Sequence, residues 1–425
     1  MIKLAIAAIL PLSADEAYYW VWSHKLDIGY YDHPPFIAWL FALGHPLEFF
    51  GHAVRWPAVL LAHLVPWIWW PVLEKYLPPG KRLLWAFLFF LCPLTGLGGI
   101  VLTPDLPLLV FWSLALRSLF HYLEEPRPRT AAFFGWWLGL GFCSKYHIVL
   151  LPLSLAPLLL KKDWRDRLGP RFFIPAFAMG LLGCLPVLLW NLQRDFLSFR
   201  FQLGHGLSGH EFRWQWPAEY LLGQLVLLTP AVLWAAWRAP RNRTGTVLLF
   251  TAFGPLLFFA LTSLRASTEI NWPAMAYPGV FALAAFALGT WGRRLSLAFW
   301  VVLQLAIFAA LGFPEKFHLH EKILEPYRFL SLRELPKQEP PLFASSYQMA
   351  SSLWYLSKVP VYKLAGMNRF DMYDLWGEST PSGQSFRLLT EEGKTLPEIY
   401  SGQGWRVIRT TSPAPGLELW EVRRE

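Results

Sequence analysis

Apolar runs of spanning or near-spanning length recur along this chain up to about Gly312, and no other feature narrows its fold as far. They cover approximately residues 2–13, 53–74, 83–101, 104–122, 131–144, 147–160, 172–190, 217–237, 246–264, 271–290 and 295–313. The hydrocarbon core of a bilayer takes about 20 apolar residues as a helix. Lipid offers no hydrogen bonds to a bare backbone, so a crossing segment must be a helix or part of a closed barrel. The runs read as helices, and the expectation is an α-helical polytopic membrane protein with about 11 transmembrane helices. The runs at 131–144 and 147–160 are each short alone. The first run has the length of a signal-peptide core but lacks a clear small-x-small cleavage site before Asp15; a clipped first helix reads equally well.

Composition agrees. Charged residues make up 16% of the chain, against about 25% in soluble domains. The 24 Trp and 33 Phe suit aromatic belts at a membrane interface. The net charge of +9 is carried in short loops between apolar runs rather than on one polar face, which argues against nucleic-acid binding. Cys92, Cys143 and Cys184 fall inside apolar runs without CxxC spacing, so neither a disulfide framework nor a cysteine metal site is expected.

The loops sort by charge. Those at 74–82, 117–130, 161–171, 238–243 and 293–294 hold roughly sixteen Lys or Arg. The alternate set, 14–55, 95–105, 145–146, 191–216 and 265–270, holds roughly seven despite its greater length. The positive-inside bias puts the first set in the cytoplasm and everything after about Phe313 outside. That tail, 314–425, is polar and rich in Pro and Gly, with strand-like runs such as VPVYKLAG and GWRVIRTT. A small α/β extracytoplasmic domain is expected there.

Ionisable residues beside membrane-grade sequence usually mark a site. The stretch from Asp15 to Leu40, DEAYYWVWSHKLDIGYYDHPPFIAWL, carries two acidic clusters, Asp15-Glu16 and Asp32-His33. Further outer loops add Asp105 in TPDLPL, Lys145 in CSKYH, Asn191, Arg200, Gln202 and His205 in WNLQRDFLSFRFQLGHG, and Arg265, Glu269 and Asn271 in LRASTEINWP. Five loops thus bring charge and hydrogen-bonding capacity to one membrane face. Plainer readings stand beside this one. Asp15-Glu16 and Asp105 suit helix N-termini, His33 precedes Pro34-Pro35 in a turn, and Lys145 could snorkel. Arg200 and His205 could meet lipid headgroups, and Tyr18, Tyr19, Trp20 and Trp22 form an interfacial aromatic stripe.

The DEAYYW…YYDHPPFIAWL pattern resembles the first outer loop of the polyprenyl-phosphate-sugar glycosyltransferases. That family (glycosyltransferase family 39 and its relatives, with the GT-C fold) contains protein O-mannosyltransferases and bacterial aminoarabinose transferases. TPDLPLLVFW, GFCSKYHIVLLP, PVLLWNLQRDFLSFRFQLGHG, GQLVLLTP and INWPAMAYP are similar to motifs of the bacterial branch, in the same order. SSYQMASSLWYL and NRFDMYDLW resemble its C-terminal extracytoplasmic domain. The resemblance implies a transmembrane GT-C catalytic domain over 1–313, with a first outer loop at 14–52, and an extracytoplasmic domain over 314–425.

It also implies transfer of a sugar from a polyprenyl-phosphate carrier to an envelope acceptor, lipid A, another glycolipid or protein, on the outer face of the bacterial inner membrane. Asp15 matches the first-loop acid, Asp32-His33 the second acidic cluster, Asp105 the acid following the third span, and Lys145 a phosphate-contacting lysine. Asp15, Glu16 and Asp105 are the catalytic candidates. Tyr31, Asp32, His33, Lys145, Arg200, Gln202, His205, Arg265, Glu269 and Asn271 are the substrate-binding candidates. The aminoarabinose transferases carry Glu-Lys where this chain has Asp32-His33, which counts against aminoarabinose as donor sugar. Asp32 and His33 could also hold a divalent metal, though their spacing is not a diagnostic one.

The chemistry independently asks for these residue types. Breaking the bond from an anomeric carbon to a lipid phosphate builds negative charge on the leaving oxygen, which Lys145, Arg200, His205 and Arg265 could stabilise. An acceptor hydroxyl needs a carboxylate to take its proton, and Asp15 is placed for that; a phosphate acceptor would need none. One in-line displacement would invert the anomeric centre. A lipid-linked-sugar flippase is the alternative, but it should carry ionisable groups near the bilayer midplane and inverted repeats. A non-catalytic binding subunit would be expected to lack the acidic pair, which is present here.

Overall fold

The computed structural model describes residues 1–207, 212–313, 316 and 327–425, with only the backbone at 205–207. Two compact units emerge. The first gathers Met1–Ala7, Ile28–Ile37 and Arg55–Gly312, and the second Ala8–Asp27, Ala38–Val54 and Phe313–Glu425.

The first unit is helical. Among the described residues, five helices are long and apolar enough to cross a membrane: Ala53–Tyr76, Asp105–Glu124, Pro170–Leu192, Arg243–Thr262 and Thr290–Gly312. Asp105–Glu124 is the most deeply buried of them and Thr290–Gly312 the least. Two runs expected as single helices are bent. Pro79–Leu91 turns by 77° into Pro93–Ile100, and Gln215–Leu228 by 82° into Pro230–Trp237. Each bend falls at a residue before proline, where the ring disfavours helical backbone. Cys92 is extended at φ −63°, ψ 127°, and Thr229 takes φ 54°, ψ 148°. The Thr229 hydroxyl steadies its break by hydrogen bonding to the Ser296 hydroxyl at 2.7 Å. Counting each bent pair as one span gives up to seven among the described residues.

The remaining apolar runs form shorter pieces. Residues 2–13 yield a helix only over Ile2–Ile9, 131–144 becomes Pro128–Phe142, 147–160 becomes Tyr146–Leu160, and 271–290 becomes Trp272–Ala287. A further apolar helix, Phe36–Phe50, occupies sequence assigned above to a polar outer loop. Pro128–Phe142 packs backbone to backbone on Pro170–Leu192. A Cβ on Gly135 would come within 1.8 Å of the Ala176 carbonyl oxygen, and one on Gly139 within 2.4 Å of the Gly180 oxygen. Small residues allow this close crossing of apolar helices.

The second unit contains a five-stranded sheet. Its strands are β1 (Leu342–Ala344), β2 (Tyr362–Lys363), β3 (Ser385–Glu391), β4 (Trp405–Ala414) and β5 (Leu417–Arg424), in the order β2-β1-β3-β5-β4. β1 runs parallel to β2 and β3, while β3, β5 and β4 are antiparallel neighbours. Phe343, Leu364, Phe386, Leu388, Trp405 and Trp420 form its core. In the same unit the helix Ala14–Ser23 packs through Tyr18, whose ring lies 4.4 Å from Tyr347 and 6.0 Å from Tyr373. The Tyr18 hydroxyl accepts a hydrogen bond from the Met372 backbone N–H at 2.9 Å. Tyr18, Tyr19, Trp20 and Trp22 are all buried against protein, which corrects the reading of them as an interfacial stripe. Four large rings on one short helix can be satisfied by a protein core as readily as by a headgroup layer.

The NRFDMYDLW segment closes on a buried ionic knot. Lys363 Nζ lies 2.9 Å from Asp371 and also pairs with Asp374. Asp371 caps the helix Met372–Trp376 by accepting from the Tyr373 N–H at 2.9 Å. Burial raises the Asp371 carboxyl to about 6 despite the attraction of Lys363. A carboxyl raised on folding binds its proton more tightly in the native state, so its ionised form weakens the fold as pH climbs through that value. The shift from the ordinary 3.8 corresponds to on the order of 3 kcal/mol. The protein is expected to lose stability between pH 4 and 7, and Asp371→Asn, which preserves the cap, to flatten that slope. Thermal unfolding across this range checks it; parallel slopes would refute the assignment.

Candidate functional site

Three separated segments of the first unit converge on one carboxylate. Asp105 opens the helix Asp105–Glu124, where the partial positive charge of the helix start favours an acid. Lys145 follows the helix Pro128–Phe142 after the chain has turned extended, at φ −158°, ψ 136°. Its ammonium donates to Asp105 Oδ1 at 2.6 Å. Asn271 stands just ahead of the turn Trp272–Ala276, and its amide donates to Asp105 Oδ2 at 3.1 Å. Both carboxylate oxygens are therefore engaged. The side chains of Lys145 and Asp105 are only 9% and 13% exposed. An ion pair so withdrawn from water persists when geometry and further hydrogen bonds offset its desolvation, which the Asn271 amide helps to do. The Trp272 ring lies 5.9 Å from the ammonium, so one side of Lys145 is covered by an aromatic face.

The second acidic cluster is anchored within the same unit. Gln202 donates to the Asp32 backbone carbonyl at 2.7 Å, and the Tyr31 ring lies 4.5 Å from Phe201. The Phe36 N–H donates to the Cys143 carbonyl at 3.0 Å, tying the DHPPF stretch to the end of the segment that carries Lys145. Asp32 is buried. His147 lies within electrostatic reach of both Lys145 and His33. Among the described residues, no group of three or more His, Cys, Asp or Glu is placed to hold a metal ion, and Asp32 and His33 belong to none.

Asn191 proves to be a clamp. It is fully buried, donates to the Val187 carbonyl at 3.0 Å and accepts from the Phe199 N–H at 3.2 Å. It spans a turn in which Asp195 and Phe196 hold φ of 49° and 58°. Backbone strain of this kind persists where surrounding contacts over-determine it. The turn orients the following helix, Leu197–Leu207, with Arg200 and Gln202 on it. Arg200, Arg265 and Glu269 are exposed, and the side chain of His205 lies outside the described part of the structure.

Asp15 and Glu16 belong to the second unit, and the two adjacent acids differ. Glu16 is buried and forms the capping box of Ala14–Ser23, accepting from the Ser13 N–H at 3.0 Å and hydroxyl at 3.1 Å. Asp15 is exposed on the first turn of that helix.

The cavities divide by polarity. Two grooves of about 780 and 690 Å³ are almost wholly apolar, one between Leu119, Phe134 and Phe177, the other between Leu150, Tyr220 and Phe253. A smaller cavity of about 140 Å³ is bordered by Asp105, Asn271 and Thr103. Chemistry that needs charge has its residues at the small cavity; the large grooves can hold hydrocarbon.

Known proteins resemble this chain over much of its length. A family described as dolichyl-phosphate-mannose-protein mannosyltransferase matches residues 32–190, a stretch that contains Asp32, His33, Asp105 and Lys145. The lipid A galacturonosyltransferase RgtD of Rhizobium johnstonii is 28% identical over 344 residues, covering 76% of this chain and 71% of that protein. The undecaprenyl phosphate-alpha-4-amino-4-deoxy-L-arabinose arabinosyl transferase of Pseudomonas aeruginosa (strain LESB58) is 28% identical over 279 residues, 59% of this chain. The chain spans about half, 49%, of that transferase's length. The crystal structure of ArnT from Cupriavidus metallidurans bound to undecaprenyl phosphate superposes with a TM-score of 0.72 at 16% identity, over 99% of this chain and 96% of that one. The fold is therefore the helical, ArnT-like GT-C fold, with five to seven candidate apolar spans and a small sheet.

Proposed function

We propose that this chain is a homologue of the bacterial polyprenyl-phosphate-sugar glycosyltransferases and moves one sugar from an undecaprenyl-type polyprenyl phosphate to lipid A or another envelope acceptor. The observation that carries the reading is the buried Lys145–Asp105–Asn271 constellation. An ammonium held in a dry site is a strong electrostatic partner for a phosphate whose leaving oxygen gains charge. Before donor binds, Asp105 supplies the counter-charge; with donor bound, the phosphate shares the ammonium. The acceptor oxygen bonds to the anomeric carbon as the carbon–phosphate oxygen bond breaks, inverting the centre. Where the acceptor is a hydroxyl, its proton passes to Asp15, the acid carried over from the family's first loop. The apolar grooves suit the polyprenyl tail.

The finer topology belongs to the same proposal. The chain spans the inner membrane about eleven times, with the shorter apolar helices completing the set, and residues 314–425 form a domain on the outer side. The bias of Lys and Arg towards alternate loops supports it.

The test compares envelope glycolipids and glycoproteins of a deletion strain with its parent by mass spectrometry, and then restores transfer with purified enzyme. One missing sugar, returned by the enzyme from a polyprenyl-phosphate donor, is expected. An unchanged envelope, with no transfer in vitro, would end the proposal. A cysteine at Gly377 should be labelled from the outer side; cytoplasmic labelling would reverse the topology.

A further inference from the structure

The small cavity beside Asp105 limits which sugar can be used. Its volume of about 140 Å³ is close to the ~150 Å³ at which an engineered cavity accepts one benzene ring. A single six-membered ring fits such a volume. Its wall is mostly hydrocarbon, from residues such as Phe89, Leu109 and Ala274, with hydrogen-bonding groups at Thr103, Asn271 and Asp105. That mixture suits a ring with apolar C–H faces and a rim of hydroxyls.

The charge balance is more restrictive than the volume. Among the described residues that border the cavity, Asp105 is the only ionisable one. Its two oxygens already accept from Lys145 and Asn271. Each keeps lone-pair capacity that a neutral hydroxyl can use. A sugar carboxylate would face Asp105 and would have to share Lys145, the ammonium beside that acid, with the donor phosphate. A sugar ammonium would have to compete with Lys145 for the one carboxylate. A charge buried without its own partner is strongly disfavoured, whereas a hydroxyl finds partners here.

We propose that this cavity holds the transferred sugar and selects an uncharged monosaccharide, a neutral hexose or pentose, over a uronate or an amino sugar. The inference rests on the glycosyl-transfer reading above. It separates this chain from relatives whose names specify a galacturonosyl or an aminoarabinosyl group, both of which carry charge.

Gly98 gives access to the cavity for a test. A Cβ added there would meet only Leu94 Cδ1 at 3.6 Å, an ordinary contact, so a side chain can grow at this lining position without moving backbone. Purified full-length enzyme is given three undecaprenyl-phosphate donors, a neutral hexose, a hexuronate and a 4-amino pentose, with deletion-strain envelope membranes as acceptor. The parent is expected to prefer the neutral donor by at least about tenfold in kcat/KM, the scale on which a pocket distinguishes related substrates. Gly98→Val should raise the KM for that donor about tenfold. Thr103→Lys, which adds a cation to the wall, should shift preference towards the hexuronate. Preference of the parent for either charged sugar, or an unchanged donor KM in Gly98→Val, would overturn the inference while leaving the transferase reading intact. No transfer from any of the three would sink that reading, and the inference with it.

Discussion

Lys145→Ala is expected to cut kcat/KM for the lipid-linked donor by about 10²–10³, the usual loss when one preorganised stabiliser of a developing oxyanion is removed. The donor KM should rise while the acceptor KM moves little, because the group that Lys145 is proposed to hold is the donor phosphate. A second effect follows from the 2.6 Å pair with Asp105. Removing the ammonium leaves a carboxylate that is 13% exposed, supported by the Asn271 amide and the helix start. Breaking a buried pair from one side costs about 3–5 kcal/mol, so the variant should also melt earlier. Asp105→Asn separates the two effects. It keeps the ammonium available to phosphate and removes the counter-charge, so donor binding should survive better than in Lys145→Ala at comparable loss of stability. Steady-state kinetics with donor and acceptor varied in turn decides the matter. Equal donor KM values in Lys145→Ala and the parent would remove the phosphate role and leave the pair as scaffolding.

Asp15→Asn should abolish transfer to a hydroxyl acceptor, by about 10²–10⁴ if proton removal is its task. The fold should be indifferent. Asp15 is exposed on the first turn, and the cap that starts its helix is made by Ser13 and Glu16, which the change does not touch. Glu16→Gln is the control, because the Glu16 carboxylate is occupied with the Ser13 N–H and hydroxyl. That variant should lose on the order of 1 kcal/mol of stability, the scale of a cap, with turnover largely kept. Turnover and melting temperature of the two purified variants provide the check. Near-normal transfer by Asp15→Asn would leave the first-loop acid without a chemical role.

As acids ahead of an aromatic run, Asp15 and Glu16 look alike in the sequence. A capping box is a Ser or Thr followed three residues later by Glu, and Ser13 and Glu16 satisfy that spacing. The signal was present, but the polar-beside-apolar argument weights all acids alike. The aromatic side chains Tyr18 to Trp22 were misplaced for a related reason. Hydropathy reports that a ring leaves water, not whether lipid or protein receives it. The bends at Cys92 and Thr229 were also readable in principle, since each precedes a proline. A hydropathy window averages across such a break and reports one span.

The sequence alone determined the solvent in which this protein folds. Runs of apolar residues at spanning length leave no other home for the first unit, because a backbone in lipid must satisfy its own hydrogen bonds. It also determined the inventory of polar residues. Only the tertiary structure decided which of those residues work together. Lys145 and Asn271 are 40 and 166 positions from Asp105, yet both reach its carboxylate. A hydrogen bond depends on distances of about 3 Å. Such distances across separate helices are fixed by how the helices pack, by glycine crossings and proline bends that carry no charge of their own.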